Sequence, residues 1–190
     1  MAVLAAGIAA YAFGAVARGQ EFFHGTVAAG FRDRPWAFWG HAAFAGVALL
    51  LGPLQLSARF RERQWRRHRI LGRVYVVAGL IGAGCGLYLA PFAYGGAVTR
   101  LGFGLLAVAT LGATATAYLR IRAGDVRGHR AWMTRSYALL FSAVTLRLEL
   151  PLLILALGAF GPAYVAVSWL CWVPNWAAAE WIVRRRGSAI

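Results

Sequence analysis

The chain has 190 residues, 61% of them hydrophobic, 14% aromatic and 14% charged, with a mean hydropathy of +0.61. Soluble domains carry about 45–50% apolar and about 25% charged residues, so an ordinary soluble globule is excluded; 8 Trp, 11 Phe and 7 Tyr exclude a disordered chain. The net charge of +14 comes from 20 basic and 6 acidic residues, and every basic residue is Arg. A membrane protein remains: about 30 Å of hydrocarbon takes roughly 20 residues per helix, so six crossings use about 120 residues and leave about 70 for connections.

The gaps between charges predict an all-α integral membrane bundle of about six transmembrane helices in a single multi-pass domain, 1–190. The helices are expected at 1–17, 36–57, 71–94, 101–119, 131–157 and 163–183. The first ends in small residues and has the length of a signal sequence, but it lacks a basic n-region and is read as a retained helix. The fifth contains Arg135, Arg147 and Glu149 and is otherwise apolar, and Gly158, Gly161 and Pro162 punctuate its end. The sixth runs into Arg184, Arg185 and Arg186.

With six spans both termini share a side with the connections after helices 2 and 4. Thirteen arginines fall on that side: Arg59, Arg61, Arg63, Arg66, Arg67 and Arg69; Arg120, Arg122, Arg127 and Arg130; and the three of the tail. Only Arg18, Arg32, Arg34 and Arg100 fall opposite. The positive-inside rule then places both termini in the cytoplasm of a bacterial inner membrane. The same clusters attract anionic lipids at about 1 kcal/mol per residue near the surface. The expected partner is thus the bilayer and not a nucleic acid, and so small a chain is compatible with a homo-oligomer. Cys85 and Cys171 lie in apolar runs without CxxC spacing and are read as small core residues.

Two faces are built for packing. Helix 2 aligns His41, Ala45, Ala48, Gly52 and Gln55, and helix 3 carries Gly79, Gly82, Ala83 and Gly86. Small residues let helix backbones approach where lipid supplies no hydrophobic drive.

An internal echo is the most informative pattern. His68, Arg69, Arg73 and Tyr75 open helix 3; His129, Arg130, Arg135 and Tyr137 open helix 5, and the two His-Arg pairs lie 61 residues apart. Helices 2–3 and 4–5 are therefore expected as parallel two-helix repeats. His-Arg at a helix N-terminus places cations beside exposed N–H groups and the positive end of the dipole, which suits an anion. Charges within spans need partners. An inner cluster is expected from His68, Arg69, Arg73, His129, Arg130, Arg135, Tyr137 and Glu180, with Glu180 a partner for an inner Arg. A second, outer cluster is expected from His41, Arg147 and Glu149. Pro151 has no N–H for the Arg147 carbonyl.

His41, GPLQL at Gly52–Leu56, HRILGRVYV at His68–Val76, HRAWMTRSYAL at His129–Leu139 and TLRLELP at Thr145–Pro151 together carry a resemblance. Over about Trp36 to Trp181 the chain resembles a bacterial family of predicted membrane proteins numbered 2306 among domains of unknown function. The resemblance implies a multi-pass architecture and marks His41, His68, Arg69, Arg73, His129, Arg130, Arg135, Tyr137 and Arg147 as family positions, without assigning roles.

The expected function is binding of an anionic lipid or small ligand at the His/Arg clusters, in a transport setting. The alternative is electron transfer with haem b held by His68 and His129, with neighbouring Arg on the propionates. GxSxG, HExxH and P-loop motifs are missing, and Glu21, Asp33, Glu62 and Asp125 fall in connections, so an enzyme is the less favoured class.

Overall fold

The computed structural model describes residues 1–18 and 33–187, with side chains through Arg185. Glu21, His24 and Arg32 of the first connection, and the side chain of Arg186, lie outside the described residues. Helix α1 spans Ala2–Arg18 and α2 Pro35–Leu56; the short α3 is Ala58–Arg63, and α4 is Trp65–Leu89, continued by a 3-10 turn at Ala90–Phe92. Then come α5 (Gly96–Arg122), α6 (Val126–Leu140), α7 (Ser142–Leu157), α8 (Phe160–Leu170) and α9 (Val173–Gly187).

Local chemistry sets these ends. Pro35 opens α2, where its missing N–H would be unpaired anyway. Ser57 separates α2 from α3 and accepts the Phe60 N–H on its hydroxyl at 3.2 Å. Gly124 takes a left-handed φ of 80° after α5. Asp125 then caps α6 by accepting the Gly128 N–H at 2.7 Å and pairs with Arg120 at 3.1 Å.

Four segments are long and apolar enough to cross a membrane: Pro35–Leu56, Trp65–Phe92, Gly96–Arg122 and Val126–Leu157. The last of these carries one turn residue, Phe141, between α6 and α7. Helix α1 is apolar but has only 17 residues. The continuous sixth helix expected at 163–183 is corrected: it is two helices, α8 of 11 residues and α9 of 15, parted at Cys171–Trp172. Pro174 supplies no N–H to the Leu170 carbonyl and its ring crowds that turn. The Cys171 carbonyl instead accepts from the Thr145 hydroxyl at 2.5 Å and the Asn175 amide at 3.0 Å. A helix can break inside hydrocarbon only where such groups re-satisfy the backbone.

The two small-residue faces meet. A Cβ on Gly82 would stand 2.7 Å from the Ala45 backbone nitrogen, one on Gly86 2.9 Å from His41, and one on Gly40 2.9 Å from the Cys85 sulfur. Helix α1 lays Ala5, Ala9, Ala12 and Ala15 inward, with Phe13 against Gly46 of α2. Helices α2 and α4 form one antiparallel hairpin and α5 and α6 another. Tyr75 of α4 and Ser136 of α6 join the hairpins through a buried hydrogen bond of 2.9 Å. That pair has the same 61-residue offset as His68 and His129. The main core gathers Leu49, Tyr75, Val76, Met133, Tyr137, Leu140 and Val144; a second forms around Tyr164, Val167 and Cys171. Leu105, Val108, Leu152 and Leu155 point outward, as lipid-facing side chains do.

Candidate functional site at the Arg-rich end

The second hairpin helices, α4 and α6, both begin at the end of the bundle that carries α3 and most of the arginines. His129 donates from Nδ1 to the Ala117 carbonyl of α5 at 2.8 Å. That bond fixes the orientation of the ring. His68 lies within electrostatic reach of His129 and Arg61, and its Nδ1 is enclosed without a hydrogen-bond partner.

Around these rings, Arg69 and Arg130 are exposed, the former over the Trp65 indole at 5.4 Å. Arg73 is exposed one turn beyond Arg69. Arg120–Asp125 and Arg135–Glu180 form ion pairs. Arg135 donates from Nε to Glu180 Oε1 at 2.5 Å and from Nη2 to Oε2 at 3.1 Å, and it lies 4.6 Å from the Trp132 ring centre. This two-pronged pair ties α6 to α9 and neutralises both groups. Arg135 and Glu180 are thereby engaged with each other.

Tyr137 faces the core, 1% exposed, with its ring flat on Gly52, where a Cβ would come within 2.0 Å of two ring carbons. Its hydroxyl is enclosed without a partner. Gln55, three residues along α2 from Gly52, is 5% exposed; its Oε1 lies 3.0 Å from where a Gly72 Cβ would be, and its Nε2 is also without a partner. Below them Tyr75, Ser136 and Thr114 form a closed hydroxyl chain, with Thr114 to Ser136 at 2.7 Å. Polar groups thus occur at the helix starts, at Arg61, His68 and His129, and within the bundle, at Gln55, Tyr137 and the hydroxyl chain. His68, Gln55 and Tyr137 carry partnerless atoms and the hydroxyl chain is satisfied.

Gln55, Tyr75, Ser136 and Thr114 were not among the expected site residues. Gln55 had a signal, as the one amide in an otherwise apolar span. Tyr75 had one as the tyrosine of the repeated element; Ser136 and Thr114 had none, because single Ser and Thr residues are ordinary in packed helices.

The outer cluster does not assemble as expected. His41 donates from Nδ1 to the Gly82 carbonyl at 2.8 Å and lies within electrostatic reach of Arg147. Arg147 donates to the Ala143 carbonyl at 2.8 Å and lies 5.1 Å from the Tyr11 ring centre. Glu149 points elsewhere, toward Cys171, with Oε2 partnerless. Two residues along a helix is a rotation of about 200°, so Arg147 and Glu149 cannot share one face.

Long apolar helices, close glycine packing and charges gathered mostly at one end define a multi-span helical membrane protein. The chain belongs to the DUF2306 family of predicted membrane proteins, whose profile matches residues 38–183. No curated protein and no solved structure matches it.

Proposed function

We propose that this is a membrane protein that binds an anionic group, a phosphate or carboxylate, at its Arg-rich end, with Arg61, His68, Arg69, Arg73, His129 and Arg130 supplying the positive field and the hydrogen bonds. The observation that carries the reading is the enclosed, partnerless Nδ1 of His68, placed toward a second histidine and Arg61 beneath arginines that take part in no ion pair. A polar atom in that position is met by a ligand or by water. By the positive-inside rule this end faces the cytoplasm, with both termini there, and its anions include the lipids of that leaflet. The shared 61-residue offset of His68/His129 and Tyr75/Ser136 supports reading the two hairpins as parallel repeats whose axis passes between these pairs. Binding supplies one half of a transport cycle, and the broken last span, α8–α9, supplies an element able to move.

The test is thermal stabilisation of the detergent-purified protein by a short-chain phosphatidylglycerol against phosphatidylcholine. Selective stabilisation by the former, lost in His68→Gln and Arg73→Gln, supports the reading. Equal responses to both lipids in all variants refute it.

One observation favours the haem b alternative: His129 Nδ1 is bonded to a backbone carbonyl, the arrangement that would turn Nε2 toward a metal, and His68 lies within electrostatic reach of His129. A Soret band in protein grown with iron, lost in both His68→Ala and His129→Ala, supports it; a colourless, stable preparation rejects it.

A further inference from the structure

We propose that the ligand of the Arg-rich end is bipartite: a phosphate at His68 and the arginines, and, one turn deeper, an acceptor oxygen held by Gln55 Nε2 and Tyr137 Oη, the pairing found in the phosphate and ester carbonyl of an anionic glycerophospholipid. This rests on the anion reading above and adds the second contact and the ligand class.

Gln55 and Tyr137 are more than nine-tenths buried, and each ends in a donor with no partner. The lean of each side chain carries it toward the other. Helical side chains lean toward their own N-terminus. The N-terminus of α6 is at the Arg-rich end, so Tyr137 leans toward that end; α2 begins at the other end, so Gln55 leans inward to meet it. The contacts agree, since Tyr137 covers Gly52, one turn from Gln55, while Gln55 abuts Gly72, one turn from His68. Along α4, His68 and Gly72 are four residues apart, a rise of about 6 Å. Two glycines seat these side chains, because a methyl at Gly52 would enter the Tyr137 ring and one at Gly72 would meet the Gln55 oxygen at 3.0 Å.

Two donors at this depth require an acceptor, so the ligand extends below its charged group. The sequence neighbours of this level are apolar and outward: Leu54 at 40% exposure, Ile70 at 60% and Val74 at 43%. A tail leaving the site along them would lie in the acyl region. A soluble glycerol phosphate shares the phosphate and an acceptor hydroxyl but gains nothing from those side chains.

The experiment measures affinities of the intact, detergent-purified protein for dioctanoyl phosphatidylglycerol, its ether-linked counterpart without ester carbonyls, glycerol 3-phosphate and inorganic phosphate. Wild type is expected to bind the ester lipid about five- to tenfold more tightly than the ether lipid, the range of one or two hydrogen bonds. Tyr137→Phe, which keeps the ring on Gly52, and Gln55→Leu should each remove most of that difference and leave the ether lipid unchanged. Should Gln55→Leu fail to fold, Tyr137→Phe alone decides. Equal affinity for ester and ether lipids, unaltered in Tyr137→Phe, overturns the bipartite assignment while leaving the anion reading intact. Glycerol 3-phosphate binding as tightly as the ester lipid overturns the lipid assignment. Loss of all binding selectivity for anions overturns the parent reading.

Discussion

Replacing Gly52 with Ala tests the packing on which the candidate site is built. The new Cβ would stand 2.0 Å from Cδ2 and Cε2 of Tyr137. Carbon atoms rest at about 3.5–4.0 Å, so the ring or the helix must move by roughly 1.5 Å. Tyr137 is 1% exposed and packs within the main core, with Phe141 at a centroid distance of 6.1 Å, so little free space receives it. Overpacking of this kind costs about 1–3 kcal/mol, and two simultaneous clashes place Gly52→Ala near the larger figure. Alanine is preferred over glycine within a helix by up to about 1 kcal/mol, leaving a net loss of about 2 kcal/mol. Gly112→Ala is the matched control, because a Cβ there meets nothing within 4 Å; it should be neutral or slightly stabilising. Reversible unfolding in mixed micelles, followed by circular dichroism, measures both. In a Tyr137→Ala background only the alanine preference is left, so the Gly52 substitution should stabilise by up to about 1 kcal/mol, giving a coupling of about 3 kcal/mol. Equal stability of Gly52→Ala and Gly112→Ala would refute the close approach of α2 to Tyr137.

Three further outcomes are expected. Arg135→Gln or Glu180→Gln alone should destabilise by about 2 kcal/mol, between the values for exposed and buried pairs, since the side chains are 15% and 25% exposed; the double replacement should recover part of that loss in the same unfolding assay. Thr145→Val removes the hydroxyl that donates to the Cys171 carbonyl and accepts from Asn175, and should cost about 1 kcal/mol while Thr145→Ser costs less, with hydrogen exchange rising at the α8–α9 break. The Gly128 N–H, then Arg120, hold the Asp125 carboxyl below its ordinary range. Its contribution is therefore present at neutral pH and lost as pH falls through the folded-state value. Asp125→Ala should lower the melting temperature at pH 7 and bring the curve toward that of wild type in acid, whereas Asp125→Asn, which keeps an acceptor, should lose less.

Four apolar spans and the charge asymmetry were legible because hydrocarbon imposes a length of apolar chain and tolerates few charges. So were the facing stripes of α2 and α4, because small residues on one face have few other uses in a membrane. The break at Cys171 was not. Pro53 and Pro151 stand inside continuous helices, whereas Pro174 ends one and starts another, and the difference lies in Thr145, which reaches the freed backbone from α7. Gln55 was visible as a stripe residue, but its enclosure depends on Gly72 and Tyr137 from two other helices. Glu149 shares its depth with Arg147, but helical rotation sends the two to opposite faces. Depth along a helix is written in the sequence, while convergence across helices follows from packing.

A structure of the protein reconstituted in nanodiscs containing phosphatidylglycerol tests the central claim most directly. The account predicts a phosphate within hydrogen-bond distance of His68 Nδ1, continued by density that reaches Gln55 and Tyr137. Density absent there, with Gln55 Nε2 and Tyr137 Oη bonded to each other or to protein groups, would contradict it.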